Sequence, residues 1–504
     1  MLKTIAPAEM KRVEMRVMEN TSITGEALMQ TAASHVAQAV RSICKEKRGK
    51  VVCVCGTGNN GGDGLAAMRM LAEKDASFAG ECWMLPGRLS ADAQREMDRL
   101  LKETPQVKVL TEDWPDEEPA CVIDAMFGTG LARPLDGLAL EMCRRINGWN
   151  APVVAVDIPS GLNGLTGEVM GEAVRADETV TFHRPKTGLY LKDGPDYTGK
   201  ITVADIGLNV PEAAAYDDAD GCDVLEKSDL VRFLPIRRRN THKGNYGKVL
   251  LFAGSRGMAG AAAISAMAAL RAGVGLVCMA CPESILDIVQ TLCPCATCLP
   301  LPEDADEAWA LLEEKLSWAD AAGAGCGLGT GEWAEKLLGN IMDWLRQNNK
   351  PAVLDADALN LLAKGGMVHA RCFITPHPAE SGRLLHCTAA QTLDDPIGTA
   401  MQLAQRFGAA VFKGACSVLC ADGKCAINPF GTPGMAKGGS GDALTGIMTA
   451  LLAGRAAGAY EMDDLQLLQA ACALHGLAGE AAAERFGERG MLATDLCEWI
   501  GRLV

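Results

Sequence analysis

Twice along this chain, short apolar runs about as long as a buried strand alternate with helical patterns, and this narrows the fold more than any other feature. The first series is "KVVCVC", "GECWML", "ACVIDAMF", "APVVAVDIP", "ETVTF" and "KITVADIG", ending near residue 205. The second is "GKVLLFAG", "VGLVCMA", "PAVLDADA", "CFITPH", "AAVFKG" and "SVLCAD". Strands that are apolar throughout are covered on both faces, and parallel strands need crossovers that are usually helical. Each series therefore predicts an α/β domain around a mostly parallel sheet, the first of the doubly wound type. A length of 504 residues also exceeds one ordinary core.

Between the series, "NVPEAAAYDDADGCDVLEKSD" (209–229) is acidic and short of large aliphatics. We expect a domain over 1–212, a linker over 213–227 and a second domain over 228–504. Helices are expected over residues 1–45 and 442–504. The Ala- and Gly-rich stretch 258–281, broken by Arg271, reads as a buried helix running into a strand, not a membrane span.

A net charge of -15 argues against nucleic acid or an anionic membrane as partner, and Arg237–Arg239 reads as solvated surface. The N-terminal sequence lacks the apolar core of a secretory signal, so a cytoplasmic location is expected. Cys278, Cys281, Cys295 and Cys298 have zinc-ribbon spacing. However, "VGLVCMACP" reads as a strand, which would put Cys278 and Cys281 on opposite faces. Buried, reduced cysteines are the expectation for all 20.

In open parallel sheets, function gathers at the carboxyl ends of strands. After "VVCVC", Gly56, Gly58 and Gly61 satisfy G-x-G-x-x-G, with Glu81 at the spacing of a dinucleotide-binding acid. That motif alone would fit a dehydrogenase, but the first half shows no obvious proton-relay histidine. The polar set Asn59, Asn60, Gly61, Gly62 and Asp63 follows. "ACVIDAMFGTGL" carries Asp124, then Gly128 to Gly130; "APVVAVDIPSGL" ends in Asp157 and Ser160; "TFHRPKTGLYL" supplies Lys186. Glycine turns admit phosphates, whereas Asn60, Asp124 and the Ser160 region offer oxygens to a hard cation.

"GTGNNGGDG", "DAMFGTGL", "DIPSGL" and "PKTGL", in this order, resemble the N-terminal domain of the NAD(P)H-hydrate epimerases. The resemblance implies a Rossmann-like fold that binds hydrated NADH or NADPH (NADHX, NADPHX) with K+ nearby. Substrate would meet Asn59–Asp63, the stretch Gly128, Thr129, Gly130, Leu131, Ala132, Arg133, Pro134, and Asp157. Asn60, Asp124 and Ser160 would hold the ion. Ala33 stands where that family usually has Gly.

In the second half, Gly438, Gly439 and Gly441 leave free N–H groups at a helix start, a ready anion site, and Asp442 lies in the first turn. A carboxylate there suits general-base deprotonation of a hydroxyl attacking a phosphoryl group. "HKGNYGKVL", "TPHPAE", "GMAKGGSGD" and "LTG" together resemble the ADP/ATP-dependent NAD(P)H-hydrate dehydratases, of ribokinase-like fold. That resemblance implies hydrate contacts at Ala261, Gly327, His377 and Asp442. It implies adenine-nucleotide contacts at Lys413, Gly414, Ala415, Cys416, Ser417 and Gly441, with Mg2+ on the nucleotide. Cys326 replaces the proline common in the family's glycine turn.

The two resemblances together imply a bifunctional repair enzyme, an isomerase and a lyase, forming a homo-oligomer. The first domain would epimerise the hydrates, with Asp157 as acid/base and Lys186 a weaker choice. The second would dehydrate the S form with ADP or ATP, with Asp442 as base. The alternative is a ribokinase-like small-molecule kinase carrying a non-catalytic N-terminal binding module.

Overall fold

The computed structural model describes residues 1–44, 49–75, 77–112, 114–210, 221–234, 236–365 and 372–503. They form two compact units, Leu2–Cys222 and, with Met1, Asp223–Val504. Of the linker expected over 213–227, residues 213–220 lie outside the described residues, and Asp223–Val224 form a short strand.

In the first unit, strands β1 (Val51–Cys55), β2 (Gly80–Met84), β3 (Val107–Leu110), β4 (Cys121–Ala125), β5 (Val153–Val156), β6 (Glu178–Phe182) and β7 (Lys200–Ala204) make one sheet. It runs β3-β2-β1-β4-β5-β6-β7, and every pair is parallel. Helices α1 (Pro7–Asn20), α2 (Gly25–Ile43), α3 (Asn59–Lys74), α4 (Ala91–Glu103) and α5 (Gly137–Gly148) complete it.

The pleat explains why β1 is apolar throughout. Val51, Cys53 and Cys55 pack in one core with residues of α2, α3 and α4, while Val52 and Val54 pack in another with Met142 and Ile146 of α5. Strand β3 is absent from the apolar runs because it is an edge strand in which only Val107 is buried. The chain moves outward from β1 to β3 and returns to β4 on the other side of β1, so the carboxyl ends of β1 and β4 flank a topological switch point.

The second unit contains β8 (Lys248–Phe252), β9 (Leu276–Pro282), β10 (Thr297–Leu301), β11 (Ala321–Ala324), β12 (Ala352–Leu354), β13 (Cys372–Ile374), β14 (Gly408–Phe412), β15 (Ser417–Ala421) and β16 (Lys424–Asn428). Their order is β16-β15-β14-β13-β12-β11-β8-β9-β10, parallel except for the antiparallel pairs β14/β15 and β15/β16. Around it lie α6 (Ala259–Arg271), α7 (Glu332–Asn348), α8 (Asp357–Ala363), α9 (Pro378–Leu385), α10 (Ser440–Ala456), α11 (Asp464–Phe486) and α12 (Ala493–Leu503). The stretch 258–281 is α6 followed by β9, as its composition predicts.

Small residues here mark close packing. A Cβ at Gly446 of α10 would collide with the Ser265 carbonyl of α6, so the two helices approach backbone to backbone. Strand β11, "AAGA", escapes an apolar-run search for a related reason: a Cβ at Gly323 would lie 2.6 Å from Thr449 Oγ1 of α10.

One expectation is corrected. Cys420 and Cys425 form a disulfide, whereas the other 18 cysteines are free. They face each other on β15 and β16 across a tight turn in which Asp422 and Gly423 both have positive φ, which brings their Cα atoms to 4.3 Å. Among the described residues no helix is long and apolar enough to cross a membrane.

Candidate active sites

In the first unit, Asp124 of β4 is fully buried. Ser160, past the end of β5, donates to its two oxygens from Oγ (2.6 Å) and from the backbone N (2.7 Å). Burial pushes this carboxyl up to about 6 despite those hydrogen bonds. Phe127 N donates to Ser160 Oγ at 2.9 Å. The Asn60 side chain lies beside Gly128, where a Cβ would come within 2.9 Å of its Oδ1, and its buried Nδ2 has no hydrogen-bond partner. The structure thus brings Asp124 to Ser160 and Asn60 to Gly128, at the carboxyl ends of adjoining strands. Thr129, Gly130, Ala132, Arg133 and Pro134 form an exposed loop after Gly128, with Leu131 half-buried.

Asp157 has φ 66°, a left-handed backbone uncommon outside glycine. It terminates β5 and turns its carboxylate to Lys186, whose Nζ lies 2.5 Å from Oδ1. Lys186 is fully buried, and its other donors reach Thr181 Oγ1 at 3.2 Å and the Phe182 carbonyl at 3.1 Å. Asp63, the fifth residue of α3, is pushed well above the usual carboxylate range by burial, then by Asp157 and Glu14. Glu14 of α1 is raised by burial and by Asp157, with Lys186 opposing. Asp157 thus pairs with the buried ammonium, Glu14 lies close enough to interact with both, and Asp63 lies near the two carboxylates. Glu14 is absent from the sequence-derived set because it comes from a surface-patterned helix with no motif of its own.

Gly61 and Gly62 lie in the first turn of α3. A Cβ at Gly61 would collide with the Gly56 carbonyl, and one at Gly62 would meet Met29 and Ala93, so these glycines let the helix start press against β1, α2 and α4. Asn59 accepts from Ser90 Oγ at 2.8 Å. Glu81 lies within β2 and accepts from Trp83 Nε1 at 3.1 Å, so its spacing after the glycines is incidental.

In the second unit the carboxyl ends of β11, β12, β13 and β14 meet the N-terminus of α10. Asp442 is the third residue of α10, after Gly439 at φ 99°. Burial raises its carboxyl above the usual range. The Cys326 thiol and Lys413 lower it, and Asp355 raises it. Cys326, in the turn after β11, is itself pushed up by burial and by Asp442 and Asp355. Lys413, at the end of β14, donates to Asp355 Oδ1 at 2.9 Å and lies 3.8 Å from Glu380 Oε2. Thr445 of α10 donates to Asp355 Oδ2 at 2.9 Å. A Cβ on Gly441 would lie 3.7 Å from Lys413 Nζ and 3.4 Å from Asp355 Oδ2.

His377 caps α9, its Nδ1 accepting from Ala379 N at 3.1 Å, and burial followed by Lys413 lowers its proton affinity. Gly327, at φ 60°, packs against Ala261, to whose Cβ an added Cβ would come within 2.9 Å. Gly414, Ala415 and Cys416 form the loop from Lys413 into β15, and Gly414 N lies 3.5 Å from Ser417 Oγ. Asp355, Glu380 and Thr445 were not singled out from sequence. Asp355 follows an apolar run directly, as Asp157 does, so the same strand-end rule was available for it.

Residues 249–502 match the NAD(P)H-hydrate dehydratase family, and residues 25–188 match the YjeF-related protein N-terminus family. The chain is 35% identical over 498 residues to the bifunctional NAD(P)H-hydrate repair enzyme Nnr of Escherichia coli K12, covering 98% of this chain and 93% of that protein. It belongs to the bifunctional NAD(P)H-hydrate repair enzymes. A relative in Leishmania braziliensis is 34% identical over 528 residues, covering 97% of this chain and 91% of its own. A solved ribokinase-like superfamily protein from Enterococcus faecalis matches with TM-score 0.50 and 25% identity, over 56% of this chain and 94% of that one. The repair enzyme therefore joins a Rossmann-like N-terminal unit to a ribokinase-like C-terminal one.

Proposed function

We propose that the first unit interconverts the R and S forms of hydrated NADH and NADPH, and that the second dehydrates the S form to NAD(P)H at the expense of ADP or ATP. The observation that carries this reading is Asp442, a half-buried carboxylate of raised proton affinity at a glycine-rich helix start beside Lys413.

Hydroxide leaves a saturated carbon poorly, and a phosphate ester leaves well. Asp442 takes the proton of the 6-hydroxyl as that oxygen attacks the terminal phosphorus, and the nucleotide departs one phosphoryl group shorter. The backbone N–H groups of Gly439–Gly441 stabilise charge on the group in transit. The ring nitrogen lone pair then expels phosphate from C6, and loss of a C5 proton restores the dihydronicotinamide.

Lys413, Gly414–Ser417 and Gly441 hold the nucleotide, while Ala261, Gly327 and His377 hold the hydrate. Their common position at the carboxyl ends of the strands supports the assignment. Mg2+, when bound, neutralises nucleotide oxygens, and Glu380 has an oxygen of the right kind beside Lys413.

In the first unit Asp157, tied to Lys186, is the acid/base for epimerisation, and Asn59–Asp63 with Gly128–Pro134 form the substrate cradle. Asn60, Asp124 and Ser160 suit K+ because all supply oxygen, while the partnerless Asn60 Nδ2, a donor, supports a ligand acceptor such as a substrate oxygen nearby. The ion would supply fixed positive charge beside the substrate. The 18 free cysteines support a cytoplasmic setting. Exposed Ile288 and Leu292, one helical turn apart, support self-association into a homo-oligomer, which light scattering would measure.

The test supplies mixed NADHX epimers with ADP or ATP and follows the reduced-nicotinamide absorbance. Complete conversion of both epimers is expected. Failure with both nucleotides, or accumulation of a stable phosphorylated product, overturns the reading.

A further inference from the structure

Asp355 is almost fully buried, yet it joins three separate segments of the second unit. Its Oδ1 accepts from Lys413 Nζ at 2.9 Å, at the end of β14. Its Oδ2 accepts from Thr445 Oγ1 at 2.9 Å, one turn into α10 from Asp442. Its backbone is fixed as well: N donates to the Ala324 carbonyl at 3.1 Å, and a Cβ on Gly325 would collide with its carbonyl oxygen. The next residue, Ala356, has φ 48° and ψ -116°, a strained conformation for an alanine. Asp357 follows, and its Oδ2 accepts from Gly329 N at 2.8 Å, in the glycine turn after β11. The strained alanine thus separates one carboxylate that serves the lysine and α10 from another that serves the glycine turn.

Lys413 differs from an ordinary buried lysine. Its ammonium has three N–H donors, of which one is committed to Asp355, and its side chain remains 23% exposed. The remaining donors lie next to Gly441, where the helix start presents its backbone.

We infer that Asp355 is a positioning residue for nucleotide-dependent dehydration: held by Thr445, it fixes the Lys413 ammonium against the glycine-rich start of α10, where the terminal phosphoryl group is bound. This rests on the proposed use of a nucleotide by this unit. A lysine without that anchor would sample many rotamers, so the loss falls on nucleotide binding before it falls on the hydrate.

The test uses the full chain with S-NADHX and compares Asp355→Asn, Thr445→Val, Lys413→Met and the Asp355→Asn/Lys413→Met double variant. Asp355→Asn is expected to raise the nucleotide KM about tenfold or more, the scale of a hydrogen bond to a charged group, with the hydrate KM changed less than about threefold. Thr445→Val, which keeps both charges, is expected to raise the nucleotide KM by a smaller factor. The double variant is expected to match Lys413→Met alone, because the aspartate acts through the lysine. An unchanged nucleotide KM in Asp355→Asn, a rise confined to the hydrate KM, or multiplied effects in the double variant overturns the inference. Should Asp355→Asn not fold, an unchanged nucleotide KM in Thr445→Val overturns it instead. A wild-type chain that ignores both nucleotides refutes the proposed function rather than this role.

Discussion

Each unit places an aspartate–lysine pair at the carboxyl ends of parallel strands, but the two pairs leave different amounts of hydrogen-bonding capacity unused. Lys186 is wholly buried and spends its donors on Asp157, Thr181 and the Phe182 carbonyl. Lys413 is partly exposed and gives one donor to Asp355. A saturated lysine fixes the charge and orientation of its aspartate, whereas one with spare donors can also recognise a ligand. This contrast fits the proposed roles, in which the aspartate is the reacting group in the first unit and serves the lysine in the second.

The largest expected effect isolates the second unit. Asp442→Asn should lower the dehydration rate by about 10²–10⁴, the usual contribution of a general base, and leave epimerisation intact. Rates measured on separate R and S hydrates check both halves at once. Asp157→Asn should do the reverse, stopping R-to-S conversion while S-hydrate is still consumed.

Stability should separate the two lysines. Lys186→Met leaves a buried carboxylate unpaired and is expected to cost roughly 3–5 kcal/mol. Lys413→Met should cost less, because water reaches that position. Equal losses in urea titrations would erase the contrast.

Acid sensitivity is expected from His475, whose Nε2 lies 2.9 Å from the Ser440 carbonyl and whose proton affinity burial lowers to about 4. An unfolded histidine titrates near ~6.5, so below that pH the unfolded chain binds the proton first. Stability is whole above about 6.5 and is lost as pH falls towards about 4, by up to ~3 kcal/mol. Unfolding midpoints at several pH values, with His475→Gln flattening the trend, provide the check.

The smallest effect concerns Cys326. Its thiol lowers the Asp442 proton affinity, so Cys326→Ala should move the acid limb of the dehydration profile to higher pH. The sign follows because a base with a higher proton affinity is protonated, and so lost, at higher pH.

Much of this molecule was legible in the residue order. Runs apolar on both faces gave six strands in each half, strand-end rules picked out Asp124, Asp157 and Lys413, and a glycine-rich helix start picked out Asp442. The strands that escaped were half-exposed, as at Val107–Leu110, or made of small residues under a helix, as at Ala321–Ala324. Hydrophobic pattern carries no signal in either case. Glu14 and Asp355 escaped because their significance comes from partners distant in sequence, Lys186 and Lys413.

By itself the sequence determined two α/β domains, the family, and the residue types able to do the chemistry, because strand burial, helix starts and glycine turns are local or periodic properties. The tertiary structure alone decided which charges meet. Whether a lysine is saturated by its neighbours or keeps donors for a ligand depends on how segments far apart in the chain converge, and no local pattern encodes that count.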